Sequence, residues 1–304
     1  MNNLNNKNNV VDSLRVVVYA GPNGSGKTTM MEAVKKNGLK IDGQIVYPPI
    51  DEINPDRVAQ QLGDIPEGPQ RELAAQRKAV EMRNTLLEEG KPFSFETVMS
   101  HPSRINELQR LKLGNYAVML TFITTNDPQK NVQRVAQRVR DKTTTGHDVP
   151  VDKIISRYER TLDLLPKAVE IADASYIYDN SYDGKDATLQ AAIHGNEVEL
   201  AQLPEAWILQ RLITPLTDRF QEIEAIKRLA ATQGFLVEEA DELSGKYKGK
   251  IAYQTAYFLV VLVTEEILTI HDKIMLNLEP KQKLVTDTEC TITYDYKTAT
   301  RIEF

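Results

Sequence analysis

Gly21-Pro22-Asn23-Gly24-Ser25-Gly26-Lys27-Thr28-Thr29 follows directly on Leu14–Ala20, LRVVVYA. The short β-branched run predicts a strand buried on both faces. A helical segment begins near Lys27, so the glycine-rich stretch joins a strand to a helix. That is the setting the pattern G-x-x-x-x-G-K-[ST] requires. Gly21, Gly24 and Gly26 let backbone N–H groups turn inward toward phosphate oxygens, and the helix adds the positive end of its dipole. Within the loop, which also includes Asn23, Ser25 and Thr29, Lys27 would reach the β- and γ-phosphates. The Thr28 hydroxyl would ligate Mg²⁺. A tight glycine turn without a ligand is the competing account, and the strand–loop–helix context argues against it.

Outward from this loop, helical and strand patterns alternate. Arg71–Glu89 reads as a helix ended by Gly90-Lys91-Pro92, and Pro92–Thr97 as a short strand. Pro102–Leu113 reads as a helix and Tyr116–Thr124 as a strand. Asp127 is placed to cap the next helix, with Pro128 in its first turn. Val151–Ala172 is a longer helix and Ser175–Tyr178 a last short strand. This alternation predicts a three-layer αβα fold with a mostly parallel sheet. Beyond residue 183 the pattern changes. Ala187–Gln202 suggests a hairpin turning at Gly195-Asn196, Leu203–Ala231 is helical, and the runs after residue 244 suit a small β-barrel.

The bulk properties exclude more than they identify. Apolar residues make up 41% of the 304 and the net charge is −6, so nothing favours nucleic acid or an anionic membrane. The single cysteine, Cys290, excludes an internal disulfide, which suits a reducing cytoplasm but is equally compatible with an exported chain that has no disulfides. The longest apolar run, Tyr257–Val263, is too short to span a bilayer. The four histidines, His101, His147, His194 and His271, are scattered singly, which gives no metal cluster. The asparagine-rich residues 1–12 read as a disordered tail.

Three groups of residues offer what a phosphotransferase needs beyond its phosphate loop. Asp56, in Ile53-Asn54-Pro55-Asp56-Arg57, is either a base for an acceptor hydroxyl or the cap of a following helix. Glu96, at the end of a strand, points toward a site at the strands' carboxyl ends, or else forms a structural ion pair. Arg134 and Arg138 share one helix face, with Val132, Val135 and Val139 suiting the opposite apolar side. Arg157 and Arg160 follow on the next helix. Between the pairs lies Thr143–Pro150, a polar connection of the kind that makes a lid. Each arginine alone is as readily a solvated surface residue. His147 in the connection either binds substrate or caps the helix after it.

These residues resemble the zeta-toxin family of P-loop kinases. The resemblance rests on GPNGSGKTT at 21–29, INPDRVA at 53–59 and FSFETVMSHPSRINELQRLK at 93–112. It continues through RVAQRVRDKTTTGHDVPVDKIISRYERTLDLL at 134–165 and ADASYIYDNS at 172–181, covering about residues 14–210. It implies ATP- or GTP-dependent phosphorylation of a nucleotide-sugar hydroxyl, with UDP-N-acetylglucosamine the best-known acceptor and Mg²⁺ as cofactor. It also implies Asp56 as the base, Lys27 as the phosphate lysine, and Glu96 and Thr97 in contact with substrate. Arginines among Arg134, Arg138, Arg157 and Arg160 would neutralise the γ-phosphate, and Asn180 would lie near the nucleotide base. An antitoxin partner and a plasmid setting belong to the same expectation. Two departures stand out: Thr145 replaces a glycine common before His-Asp-Val-Pro, and Leu39–Asp51 is long.

The segment Ser244–Ile251 with Ile270-His271-Asp272 and Leu276 resembles the KfrB-type small β-barrel. Acidic and basic residues after position 243 are equal in number, which argues against phosphate-backbone binding and favours a protein- or self-interaction module or, equally, a passive structural cap. The expected division is therefore a tail (1–12), a P-loop kinase domain (13–183), a hairpin and helical connector (184–243) and the barrel (244–304). The alternative functions are a nucleotide-gated interaction protein with little catalysis and a kinase for another acceptor.

Overall fold

The computed structural model describes residues 14–41, 44–66, 68–141, 149–276, 278, 283–296 and 300–304. The tail at 1–12 and His147, with most of the polar connection around it, lie outside the described residues. The buried strand is β1 (Arg15–Ala20), followed by α1 (Lys27–Asn37). A small hairpin, β2 (Leu39–Ile41) with β3 (Gln44–Val46), fills the long stretch noted above. Next come β4 (Glu52–Ile53), α2 (Pro55–Gln61), α3 (Pro69–Glu88), β5 (Phe93–Thr97) and α4 (Ser103–Leu113). Then follow β6 (Ala117–Thr124), α5 (Pro128–Asp141), α6 (Val151–Ile171) and β7 (Ala174–Asp179).

The hairpin after residue 183 is β8 (Thr188–His194) and β9 (Glu197–Leu200), and it continues the main sheet. The seven-stranded order is β4-β5-β1-β6-β7-β8-β9, with the first five strands parallel and the last two antiparallel. The parity of β1 divides the core. Val16, Val18 and Ala20 face Ala75 and Ala79 of α3, the apolar side of α4, and Leu162 and Leu165 of α6. Val17 and Tyr19 face Met31 and Val34 of α1. Helices thus cover both faces, as a strand without an exposed side demands.

One expectation on α5 fails. Val135 is buried against Val149 and Ile154, but Val139, one turn further along α5, is exposed.

Residues 206–232 form one helical stretch: α7 (Ala206–Ile208), a π-helical turn at Leu209–Ile213, and α8 (Thr214–Thr232). A second sheet follows. Its strands are β10 (Leu236–Glu239), β11 (Lys246–Gln254), β12 (Phe258–Leu262), β13 (Ile267–Asp272), β14 (Glu289–Thr293) and β15 (Arg301–Glu303). They are ordered β10-β13-β12-β11-β14-β15, and β10 is not paired with β15 among the described residues. The sheet starts at Leu236, before the expected boundary at residue 244, because β10 pairs in parallel with β13. Leu259 and Val261 of β12 join the large core shared with the main sheet, whereas Phe258 and Val260 pack on Ile226 and Ala230 of α8.

A buried ion network fastens the two sheets. Arg219 of α8 holds Glu170 of α6 and Asp272 of β13, each at 2.6 Å. Lys167 of α6 reaches Glu242 at 3.0 Å and Asp272 at 3.3 Å. Burial works against charge on Asp272, but Lys167 and Arg219 outweigh it and hold its pKa below the carboxylate norm. Removing one partner of such a pair costs about 3–5 kcal/mol, because the other is left buried and charged.

His271 makes a pH test of this sheet. It is fully buried between Thr269 Oγ1 (2.8 Å) and the Tyr294 hydroxyl (3.0 Å), and burial lowers its pKa from 6.5 to about 4. Between those pH values the unfolded chain binds a proton that the native state refuses. His271 therefore contributes its full stability above pH 6.5 and loses it as pH falls toward 4, by up to about 1.4 kcal/mol per pH unit. Urea unfolding across that window should show this slope in wild type and lose it in His271→Gln.

Candidate active site

The glycine-rich loop sits at the carboxyl end of β1, wedged among β6, α5 and the chain after β7. Gly24 has φ +76°, and a Cβ there would lie 2.6 Å from the Asn131 carbonyl oxygen of α5. Gly26 has φ +98°, and its Cβ would lie 2.4 Å from Asn180 Nδ2. Only glycine satisfies both the backbone sign and the space. Asn180 donates to the Ser25 carbonyl (2.8 Å) and Asn131 to the Asn23 carbonyl (2.6 Å), so two amides brace the loop from outside.

Lys27 is only 6% exposed, and its amine donates to the Pro22 carbonyl at 2.9 Å. Burial lowers its pKa, while Glu96 and Asp56 push the other way and Arg138 adds to the lowering. Glu96 lies 3.8 Å from Lys27 through Oε1. Its Oε2 accepts from Thr28 Oγ1 and from Asn54 Nδ2, both at 3.0 Å. The strand register explains this meeting, since Glu96 on β5 sits beside Tyr19 on β1.

The helix-cap alternative for Asp56 is corrected: Asn54 caps α2, its Oδ1 accepting from the Asp56 N–H (2.8 Å) and the Arg57 N–H (3.4 Å). The Asp56 carboxylate is half-buried and makes no hydrogen bond or ion pair with the described residues. Arg138 is likewise half-buried, and its Nε is buried without a partner.

Two adjoining clefts open here. One, about 340 Å³, is lined by Gly26, Thr28, Thr29, Arg134 and Asn180. The other, about 270 Å³, extends along α3 and the start of α4. Their shared wall is Gly24, Lys27, Asn54, Asp56, Glu96 and Arg138. Thr97 and Arg157 line only the second cleft, and so does Asn23, whose Oδ1 accepts from Arg157 at 3.4 Å. Gly21 and Ser25 line neither cleft; they shape the loop from behind, Ser25 being fully buried.

Other expected residues stand elsewhere. Arg160 lines neither cleft, since its Nε donates to the Ser100 carbonyl at 3.0 Å. Arg134 faces the first cleft, tied to the Asn180 carbonyl (2.7 Å) and to Asp183. The Asn180 amide nitrogen is already committed to Ser25. Lining the second cleft behind Glu96, Met99 has φ +54° although it is not glycine, a conformation costing roughly 1–3 kcal/mol. Its N–H donates to the Thr97 hydroxyl (3.2 Å), and Thr161 of α6 holds the Val98 carbonyl (2.9 Å).

Sequence reasoning missed Asn54, Arg83 and Arg104. Arg83 carried a readable signal: Ala75, Ala79 and Arg83 are spaced four apart, so an arginine occupies the buried stripe of α3.

The zeta toxin family model matches residues 6–185. An uncharacterized protein of Haemophilus influenzae strain Rd is 26% identical over 145 residues, covering 47% of this chain and 92% of its own. Among solved structures, the AvrRxo1-ORF1:-ORF2 complex with ATP has a TM-score of 0.47 at 15% identity, covering 62% of this chain and 60% of that one. The PezAT toxin-antitoxin system of Streptococcus pneumoniae has a TM-score of 0.42 at 18% identity, covering 69% and 87%. The chain therefore spans less than two thirds of that AvrRxo1 chain.

Asn54→Ala removes the α2 cap and one bond to Glu96 together. Chemical denaturation should show a loss of about 1–2 kcal/mol, and an unchanged unfolding midpoint would contradict this geometry.

Proposed function

Because the chain belongs to the zeta toxin family of P-loop kinases, we propose that it transfers the γ-phosphate of ATP or GTP to a hydroxyl of a nucleotide sugar such as UDP-N-acetylglucosamine. One observation carries this reading: two clefts meet at a wall that holds Lys27, Asp56 and Arg138 together. The first cleft takes the triphosphate, with the loop N–H groups and Lys27 on its phosphates and Asn180 and Arg134 at its far side. The second takes the acceptor, along Glu96 and Thr97. The γ-phosphorus then lies at the shared wall.

Asp56 accepts the proton of the acceptor hydroxyl as its oxygen bonds phosphorus and the bond to the β-phosphate oxygen breaks, leaving the nucleoside diphosphate. Arg138 and Arg157 stabilise charge on the transferring group. The residues present fit Mg²⁺: Thr28 gives its hydroxyl hydrogen to Glu96 and keeps lone pairs for a cation, and the Asp56 carboxylate is unengaged. Among the described residues no group of three or more His, Cys, Asp or Glu side chains could hold a metal, which suits an ion held largely by phosphates. Bound there, Mg²⁺ would neutralise phosphate charge.

This reading places the protein in the cytoplasm, where its substrates are, and gives it an antitoxin partner that protects its host. Among the described residues no helix is long and apolar enough to cross a membrane. For the C-terminal sheet we keep the KfrB-type reading, an interaction module whose orientation is held by Arg219 and Lys167.

Labelled ATP incubated with a panel of nucleotide sugars tests the whole scheme. Label should appear on one acceptor, fall by about 10²–10⁴-fold in Asp56→Ala with nucleotide binding kept, and vanish with nucleotide binding in Lys27→Ala. Protein that binds ATP yet labels no sugar or metabolite would overturn it.

A further inference from the structure

A further cleft, about 450 Å³, lies between α6, the π-helical turn and the second sheet. It shares no lining residue with either cleft of the active site. Two prolines line it, Pro166 inside α6 and Pro215 at the start of α8. Proline has no N–H, so each removes a donor that a helical carbonyl would use. In α6 the carbonyl deprived is that of Leu162, four residues earlier, which also lines the cleft. A helical carbonyl points along the axis toward the residue four on, so it lies on the face that Leu162 and Pro166 share. In the π-helical turn the Thr214 N–H bonds the Leu209 carbonyl, five residues back. The next carbonyl, that of Gln210, would need an N–H from Pro215 in the same pattern, and proline has none. Gln210 lines the cleft too.

The same cleft holds a donor. Arg219 lines it and is 4% exposed. Its Nε and Nη2 are spent on Glu170 and Asp272, while Nη1 has no hydrogen-bond partner among the described residues. The guanidinium lies 5.6 Å from the centre of the Tyr257 ring, another part of the wall. Charge on the wall is already balanced. Arg211 meets Glu159 at 2.7 Å and Asp163 at 3.2 Å, and Arg219 meets Glu170 and Asp272. Lys167 shares Asp272, and the Lys273 ammonium donates to the Thr255 carbonyl. Those four cations and four carboxylates leave no excess charge to attract an ion. What remains is two acceptors, one donor and flat apolar surface from Tyr257 and the prolines. Such polar groups, left without partners, cost free energy that a matching ligand would recover.

We propose that this cleft is a second binding site, for an uncharged nucleobase carried by a nucleoside. An amino or imino N–H of the base donates to the Leu162 and Gln210 carbonyls, a ring nitrogen or carbonyl oxygen accepts from Arg219 Nη1, and the ring lies against Tyr257. A base is planar and carries donors and acceptors side by side, which is the pattern the wall presents. The volume suits a ligand of nucleoside size. An anion would meet carboxylates that already hold both arginines, and a sugar would leave the flat apolar surface unmatched.

Calorimetry and ligand-observed NMR on the full chain test this with four probes: adenosine, uridine, N-acetylglucosamine and benzoate. At least one nucleoside should bind, and neither the sugar nor the aromatic anion should. Two variants locate the site. Pro166→Ala returns an N–H to the Leu162 carbonyl, so it should raise the melting temperature while weakening the nucleoside about three- to tenfold. Tyr257→Leu keeps an apolar side chain but removes the ring, and should weaken the nucleoside by about tenfold. Thermal melts establish that each variant is folded, and Pro166→Ala suffices if Tyr257→Leu is not. A nucleoside bound equally by wild type and the folded variants sits elsewhere, in the active site for instance, and overturns the proposal. Failure of both nucleosides to bind, or binding of the sugar or benzoate in their place, overturns it as well.

Discussion

The buried ammonium of Lys27 is the constraint from which the site follows. A charge at 6% exposure must be met by an opposite charge and by hydrogen bonds. Here the loop's own Pro22 carbonyl and the Glu96 carboxylate meet it. Glu96 can do so only because β5 runs parallel to β1 with Glu96 level with Tyr19. Once there, the same carboxylate takes Thr28 and Asn54, and Asn54 in turn starts α2 with Asp56 in its first turn. A single ion pair thus links Lys27 to the segment that carries Asp56.

The same logic operates at the other end of the chain. Arg219 and Asp272, both nearly inaccessible, stay charged because Glu170 and Lys167 complete the network. Apolar residues of the second sheet also share the large core with β1 and α6. Buried pairs of this kind add little net stability, but breaking one leaves an uncompensated charge. The second sheet is thus tied by ion pairs to α6, the helix that carries Arg157.

Much of this was legible in the residues. The β-branched run before Gly21, the alternation of strand and helix patterns, and the turn at Gly195-Asn196 each describe local preferences, and the corresponding elements form. Strand β10 lies before the expected barrel because a four-residue run with two acidic positions looks ordinary until it pairs with β13. The apolar stripe drawn through Val139 fails at its end for a similar reason: helical periodicity marks a face, but burial depends on what packs against it, and Val135 is buried while Val139 is exposed. At the site, Asp56, Glu96, Lys27 and Arg138 meet on one wall, whereas Arg160 turned to a backbone carbonyl.

By itself the sequence determined the glycine-rich loop and its strand–loop–helix setting, because glycine at positive φ, a lysine at the helix start and an apolar strand before it are local demands. Tertiary structure alone decided which partners complete that loop. That Asn54 reaches Glu96, that Asn180 spends its amide on Ser25, and that Arg83 lies buried facing the cleft along α3 all depend on contacts between residues far apart in the chain. Charge and hydrogen-bonding capacity are properties of a residue; whether they are spent on the fold or left for a ligand depends on what packs against it.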